Sequence, residues 1–201
     1  MGRKRGKRRC AAMILSDIDI KKYIERGEII IDPLNPKNIG PCSVDLTLSD
    51  TFLVFEGVEI IDPQKFNDLK RSTKTIKTNG KPFTINPHQF ILAMTREKIA
   101  ISKHLAATLE GRSSIARLGL IVHAAGLVNP GTGILQPKPL VLEVFCENTA
   151  PIKLYPGMKI VQIIFHKLTT PASKGYDERK ESQFAAQNKW MPEKFENNTT
   201  T

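Results

Sequence analysis

Six consecutive residues hold four side chains that suit a polyanionic, hydroxylated ligand, namely Arg112, Ser113, Ser114 and Arg117. The planar guanidinium group matches the oxygens of a phosphate with paired hydrogen bonds. Serine hydroxyls can donate to or accept from sugars, phosphates and ordered water. The alternative is a purely structural role for the same residues, in a capped turn with a surface salt bridge or in a glycine-flanked loop. On residue types alone, this segment indicates a phosphate-binding or nucleotide-binding site.

A single carboxylate, Glu143, lies in the otherwise apolar stretch 140–145. Apolar surroundings raise the pKa of a carboxyl group, which allows the group to exchange protons near neutral pH. An ordinary strand glutamate that faces solvent is the alternative. The pattern itself does not decide between the two, because either face of a strand could carry Glu143.

Five ordered segments of the chain resemble the dCTP deaminase family, within the trimeric dUTPase superfamily. They begin with Met-Ile-Leu-Ser-Asp and include Gly-Arg-Ser-Ser-Ile-Ala-Arg-Leu-Gly-Leu, and they cover residues 13–17, 40–48, 111–120, 155–162 and 171–187. The resemblance implies an all-β fold, a distorted barrel or jelly-roll with short peripheral helices. It also implies a homotrimer with shared sites, and hydrolytic deamination of dCTP to dUTP and ammonia.

The resemblance also assigns roles to individual residues. It makes Glu143 the group that shuttles protons, with Ser113 and Arg117 positioning the water and the glutamate. The residues that it places against the substrate are Arg112, Ser114, His123, Ala125, Asn129, Tyr176, Gln183 and Gln187. Taken alone, His123 is more often a satisfied strand histidine than a ligand-binding one.

The chain departs from the family pattern at several positions. Asn129 stands where the family has an aspartate, and an amide can donate a hydrogen bond but cannot act as a base. Gln183 replaces a lysine, which removes a charge that would reach the phosphates. Residues 135–138 form an insert, and the segment 123–125 is one residue short. These changes predict that dUTP accumulates. A bifunctional enzyme that forms dUMP and a silent dNTP-binding relative are the alternatives.

The histidines and cysteines lack the spacing of a metal site. Neither His-x-Glu nor Cys-x-x-Cys occurs among the four histidines and three cysteines. A zinc deaminase needs such a cluster to activate water. We therefore predict chemistry without zinc, with Mg²⁺ held by the substrate phosphates, because Mg²⁺ prefers phosphate oxygens and retains several waters.

The positive charge is concentrated at the N-terminus. Six lysines and arginines in the first nine residues contribute heavily to a net charge of +10. Residues 1–12 are predicted to be a disordered basic leader, either a dispensable extension or, less favoured, a nucleic-acid-binding segment. Neither a signal peptide nor a membrane span is evident, and a cytoplasmic location is predicted.

Residues 13–170 are predicted to form the β-domain, followed by a tail, 171–201, that covers the nucleotide. Ser16 offers an N-cap for a short amphipathic helix that ends near Gly27. Strands are predicted at 28–32, 44–48, 52–55, 83–85, 89–95, 106–111, 119–123, 139–147, 151–154 and 159–168. The polar stretch 64–82 is predicted to be a surface excursion, and Trp190 an isolated anchor in the tail.

Overall fold

The fold is built almost entirely from β-strands. The computed structural model describes residues 13–57, 60–62, 66–123, 125–182 and 190. The strands are β1 (Met13–Ile14), β2 (Ile29–Asp32), β3 (Val44–Phe55), β4 (Thr73–Lys77), β5 (Phe83–Ile85), β6 (Phe90–Ile101), β7 (Leu105–Gly111), β8 (Leu120–His123), β9 (Leu127–Val128), β10 (Lys138–Cys146), β11 (Ile152–Leu154) and β12 (Lys159–Lys167). The helices are α1 (Asp17–Glu25), α2 (Phe66–Arg71) and α3 (Ser113–Ala116), with 3₁₀ turns at Pro36–Asn38 and Tyr176–Glu178. The predicted all-β class is confirmed.

One sheet dominates, and it curls until its two ends face each other. Its strand order is β8-β10-β6-β3-β12-β7-β9, so β8 and β9 lie at opposite ends of the path. Only residues 124–126 separate these two strands along the chain. Four Cα steps of 3.8 Å bridge at most ~15 Å. The sheet must therefore curl so that its two ends approach each other, and we call the gap between β8 and β9 the seam.

Alternation of side chains along the strands places one face of the sheet in the core. On β3, Val44, Leu46 and Leu48 are fully buried, whereas the residues between them are only half-buried. On β10, Leu142, Val144 and Cys146 are likewise fully buried. Successive side chains of a strand point to opposite faces. The intervening residues, Glu143 among them, therefore point away from the core.

Helix α1 forms where the sequence predicts it. The Ser16 hydroxyl accepts from the backbone N–H of Asp19, which satisfies one of the unpaired donors of the first turn. Ile20 is fully buried and fixes the helix to the core. Gly27 follows with φ of 69°, a conformation that ends the helix at little cost for glycine.

The stretch 64–82 differs from the prediction of a surface excursion. Within it, α2 leads into β4, and β4 pairs antiparallel with β3 from Thr73 to Lys77. Of these five residues, only Ile76 is apolar, so a strand with one solvated face had the composition of a loop. The partner strand β3 is continuous from Val44 to Phe55, whereas two separate strands were predicted.

Among the described residues, no helix is both long enough and apolar enough to cross a membrane. The structure contains one large hydrophobic core, to which the sheet, α1 and α3 all contribute side chains.

Candidate functional site

The segment with four polar side chains lies at the turn between β7 and β8. Arg112 occupies the N-cap position of α3, and Ile115 is buried and anchors this single helical turn. Burial of a side chain of this size contributes roughly 1.5–3 kcal/mol. Ser113, Ser114 and Arg117 are exposed around it. The short helix therefore presents hydroxyls and a guanidinium group outward from a fixed backbone.

The Arg112 side chain is held by contacts with Asp45 and Lys159. Its Nε donates to Asp45 Oδ1 at 2.9 Å, and its Nη1 donates to the Lys159 carbonyl oxygen at 3.4 Å. The other carboxylate oxygen, Asp45 Oδ2, accepts from Lys159 Nζ at 2.9 Å. Two cations thus share one carboxylate, which leaves a net positive charge beside α3. Such a surface favours an anionic ligand.

Glu143 lies at the seam. Its Oε2 accepts from the backbone N–H of Ala125 at 3.1 Å, and Ala125 belongs to the short link between β8 and β9. Opposite Glu143 on β6 is Leu92, which is 4% exposed. On the other side, the backbone of His123 pairs with Glu143. The flanking residues 142 and 144 point into the core, so the apolar neighbour of the carboxylate is the cross-strand Leu92 and not the flank that the sequence suggested.

The segment that follows α3 meets the residues that follow β10. Glu147 donates its N–H to the Gly119 carbonyl at 2.8 Å, and Asn148 Nδ2 donates to the Leu118 carbonyl at 3.0 Å. Glu147, the residue that follows β10, is four residue steps from Glu143, or ~13 Å in an extended chain. The contact with the segment that follows α3 therefore lies about four residue steps along the chain from Glu143.

Asn129 and Tyr176, although far apart in sequence, belong to neighbouring segments. The Asn129 carbonyl accepts from Thr132 N–H at 3.1 Å, and the next carbonyl, of Pro130, accepts from Tyr176 N–H at 2.7 Å. Gly131 has φ of 76°, and a Cβ built on it would collide with the Cα of Gly175. Only glycine allows this approach of two backbones. The segments that carry Asn129 and Tyr176, both predicted to contact the substrate, are therefore neighbours in the fold.

A buried ion pair at the same place was missed by sequence reasoning. Lys138 Nζ lies 2.8 Å from Asp177 Oδ1, and the Asp177 side chain has no solvent exposure. Lys138 ends the predicted insert, and Asp177 follows Tyr176. Nothing in the spacing indicated that residues 39 positions apart would meet.

Glu178 closes the turn that carries Tyr176. The Gly175 N–H donates to Glu178 Oε2 at 2.6 Å, and Lys103 Nζ lies 3.3 Å from the same oxygen. The hydrogen bond from Gly175, followed by the one from Lys103, holds the pKa of the Glu178 carboxyl below its usual value. This exposed carboxylate therefore stays ionised at neutral pH.

Some predicted positions lie outside the described residues: Gln183, Gln187 and the whole leader 1–12. Their assigned roles stay predictions. Ala125 is described and exposed at the seam. Trp190, predicted as an anchor, lines a cavity of about 540 Å³ together with residues that include Asp50, Arg96 and Lys98. None of the predicted site residues lines that cavity.

Comparison with known proteins decides the family. The dCTP deaminase-like family model matches residues 14–168. The chain belongs to this family. A relative from Dictyoglomus turgidum, named "dCTP deaminase, dUMP-forming", is 44% identical over 177 residues, which cover 86% of this chain and 89% of that protein. Relatives with the same name from Persephonella marina and Methanosphaera stadtmanae are 43% and 41% identical, and the matches cover 82% and 87% of this chain and 89% of each relative.

A solved structure supports the fold of this dCTP deaminase-like chain. The crystal structure of 2′-deoxycytidine 5′-triphosphate deaminase from Agrobacterium tumefaciens superposes with a TM-score of 0.61 at 18% sequence identity. The superposition covers 78% of this chain and 48% of the Agrobacterium chain, about half its length. The family resemblance seen in the sequence is therefore confirmed.

Metal dependence of this family member is open to a direct test. Among the residues that the structure describes, no group of three or more His, Cys, Asp or Glu side chains could hold a metal ion. We expect elemental analysis to find less than stoichiometric zinc, and we expect turnover to survive a zinc-selective chelator. Withholding Mg²⁺ should slow turnover, because Mg²⁺ neutralises the triphosphate charge. One tightly bound zinc ion per subunit would contradict the prediction.

Proposed function

We propose that this chain is a dCTP deaminase that forms dUMP. The main support is that relatives with that name are more than 40% identical to this chain over more than four fifths of its length. The retained side chains of Arg112, Ser113, Arg117 and Glu143 support the same activity. The sequence had favoured dUTP as the product, and the names of the relatives favour the alternative, dUMP.

In the deamination step, water adds to C4 of the cytosine ring and the exocyclic amine leaves as ammonia. Glu143 takes a proton from the attacking water and passes one to the departing nitrogen. A carboxylate suits both transfers, and a positioned acid–base group typically contributes ~10²–10⁴-fold in rate. Ser113 and Arg117 hold the water and the carboxylate in line. The Ala125 N–H, 3.1 Å from Glu143 Oε2, orients the carboxylate.

The triphosphate binds beside α3. Arg112 uses Nε and Nη1 for Asp45 and Lys159, and its remaining N–H groups and the Ser114 hydroxyl are available for phosphate oxygens. A bound Mg²⁺ would be held by the substrate phosphates and would offset part of their charge. Asn129 donates to the deoxyribose hydroxyl, and Tyr176 covers the sugar.

We further propose that sites are shared between subunits of a homotrimer. Support comes from the ~13 Å of extended chain between Glu143 and Glu147, and from the exposure of Ser113, Ser114 and Arg117. In a closed cyclic assembly, each subunit offers one surface to the next and a different one to the previous subunit. Glu143 of one subunit then meets α3 of its neighbour.

Product analysis tests the proposal. Purified protein is incubated with dCTP and Mg²⁺, and ammonia, dUTP, dUMP and pyrophosphate are followed over time. If the protein forms dUMP, dUMP and pyrophosphate should each appear in an amount equal to the ammonia released. A second candidate, a deaminase that stops at dUTP, is favoured by Asn129, and dUTP equal to ammonia would establish it. Binding of dCTP without ammonia release would indicate a silent nucleotide-binding protein.

Asn129→Asp tests whether the amide limits pyrophosphate release. An aspartate can activate the water that attacks the α-phosphorus, and such a base typically contributes ~10²–10⁴-fold. We expect Asn129→Asp to convert added dUTP to dUMP at least ~10-fold faster than the natural chain. Asn129→Ala is the matched control, since it supplies neither base nor hydrogen bond. An Asn129→Asp rate equal to that of the natural chain would show that another group activates this water.

A further inference from the structure

The Lys138–Asp177 pair is the most deeply buried salt bridge that the structure describes. The side chains of Lys138 and Asp177 are 10% and 0% exposed, and their charged atoms lie 2.8 Å apart. The second carboxylate oxygen accepts from Leu135 N–H at 3.4 Å. Both oxygens of Asp177 are thus directed at the loop 129–138, whereas its backbone belongs to the turn Tyr176–Glu178.

The pair completes a set of contacts between these two segments. Tyr176 N–H donates to Pro130 at 2.7 Å, and Gly131 packs against Gly175 so closely that neither backbone can shift inward. Lys138 Nζ also lies 5.3 Å from the centre of the Tyr176 ring, within cation–π range. One lysine therefore contacts both the aspartate that fixes the turn and the aromatic ring that the turn presents.

Burial makes this pair unlike the other ion pairs of the fold. Exposed pairs such as Lys74–Glu56 have side chains more than half exposed, and such pairs contribute little. Desolvating two charges is costly, so a buried pair is poor evidence for added stability. A buried pair instead specifies the relative position of the two segments, because only one arrangement pairs both charges.

We infer that Lys138 and Asp177 are positioning residues that fix the spacing between Asn129 and Tyr176, and that this spacing selects deoxyribonucleotides over ribonucleotides. The inference rests on the proposed function, since Asn129 and Tyr176 are its sugar-contacting residues. A ribose differs by one hydroxyl, and a pocket rejects an added hydroxyl only modestly. Rejection therefore depends on a rigid fit, in which a displacement on the order of 1 Å has large consequences.

The test compares Lys138→Met, Asp177→Asn and the conservative Lys138→Arg. Dissociation constants for dCTP and CTP are measured by calorimetry with Mg²⁺, and kcat and KM are measured for both nucleotides. We expect the CTP-to-dCTP ratio of dissociation constants to fall at least ~10-fold in Lys138→Met and Asp177→Asn. In the kinetic measurements, the loss of selectivity should come mainly from a higher KM for dCTP and not from a lower kcat. Lys138→Arg should retain the natural ratio, and Lys74→Met is the matched control at an exposed pair.

A folded Lys138→Met variant with the natural ratio would overturn the inference. If the single variants fail to fold, Lys138→Met combined with Asp177→Leu replaces the pair by apolar side chains of similar size, a change that proteins often accept. That double variant must lose selectivity while keeping its thermal midpoint; an unchanged ratio overturns the inference. If the natural chain binds dCTP selectively but does not turn it over, the proposed activity is refuted. The ratio of the CTP and dCTP dissociation constants in the variants then still tests the inference. Equal binding of dCTP and CTP by the natural chain would refute the inference alone.

Discussion

Replacing Glu143 by glutamine should reduce the rate of dCTP deamination by ~10²–10⁴-fold. Glutamine keeps the shape of the side chain and can still accept the Ala125 N–H that now binds Oε2 at 3.1 Å. It cannot take a proton from water, because an amide oxygen is a very weak base. Ammonia release under saturating dCTP measures the loss, and calorimetry should show that dCTP binding is largely retained.

The matched control is Glu147→Gln. Glu147 follows the same strand and is exposed, and its N–H, which the substitution leaves intact, makes the contact with Gly119. This control shows whether a lower rate comes from loss of the Glu143 base or from loss of any negative charge on this part of the molecule. Deamination by Glu143→Gln at the natural rate would remove Glu143 from the mechanism. A loss of dCTP binding equal to the loss of rate would instead assign Glu143 to substrate binding.

Mixing two inactive variants should restore activity if sites are shared. Glu143→Gln lacks the proton-transfer group and Arg117→Ala lacks the guanidinium group, so each variant alone should be nearly inactive. After dissociation and random reassembly of equal amounts, about a quarter of the sites in a cyclic assembly combine an intact Arg117 with an intact Glu143. Recovery on the order of a quarter of the natural rate is therefore expected.

The double variant, with both substitutions in one chain, is the control for this mixing experiment. Mixed with the natural chain, it only dilutes intact sites and cannot create one from two damaged surfaces. Absence of recovery after verified subunit exchange would mean that Glu143 and Arg117 act from the same chain. In that case α3 would have to move toward the seam when the nucleotide binds.

Local sequence signals predicted the parts of the fold that depend on neighbours in the chain. The cap at Ser16 and the strands predicted at 139–147 and 159–168 correspond to α1, β10 and β12. β4 escaped prediction because its outer face meets water, so its composition resembles that of a loop. The continuity of β3 was missed because Ser49 and Asp50 interrupt its apolar residues.

The site was predicted residue by residue, but its arrangement was not. The family resemblance named Glu143 and the residues of α3, and the structure adds that Glu143 lies at the seam and α3 at the turn between β7 and β8. Lys138 and Asp177 meet across 39 positions, and such long-range pairing leaves no periodic pattern in a single sequence. The product was predicted from one amide, Asn129, whereas the relatives point to dUMP. A single residue type describes what one group can do, not whether another group replaces it.

The ends of the curled sheet also affect how copies of the chain meet one another. An open β-edge offers unpaired backbone groups to which a foreign strand can add, and such addition is a common route to aggregation. Here the sheet ends in β8, with four residues, and β9, with two, while the edge strand β4 carries the charged side chains of Lys74 and Lys77. Short or charged edges are poor templates. The curled sheet can thus end at the seam without inviting strand-by-strand growth into fibrils.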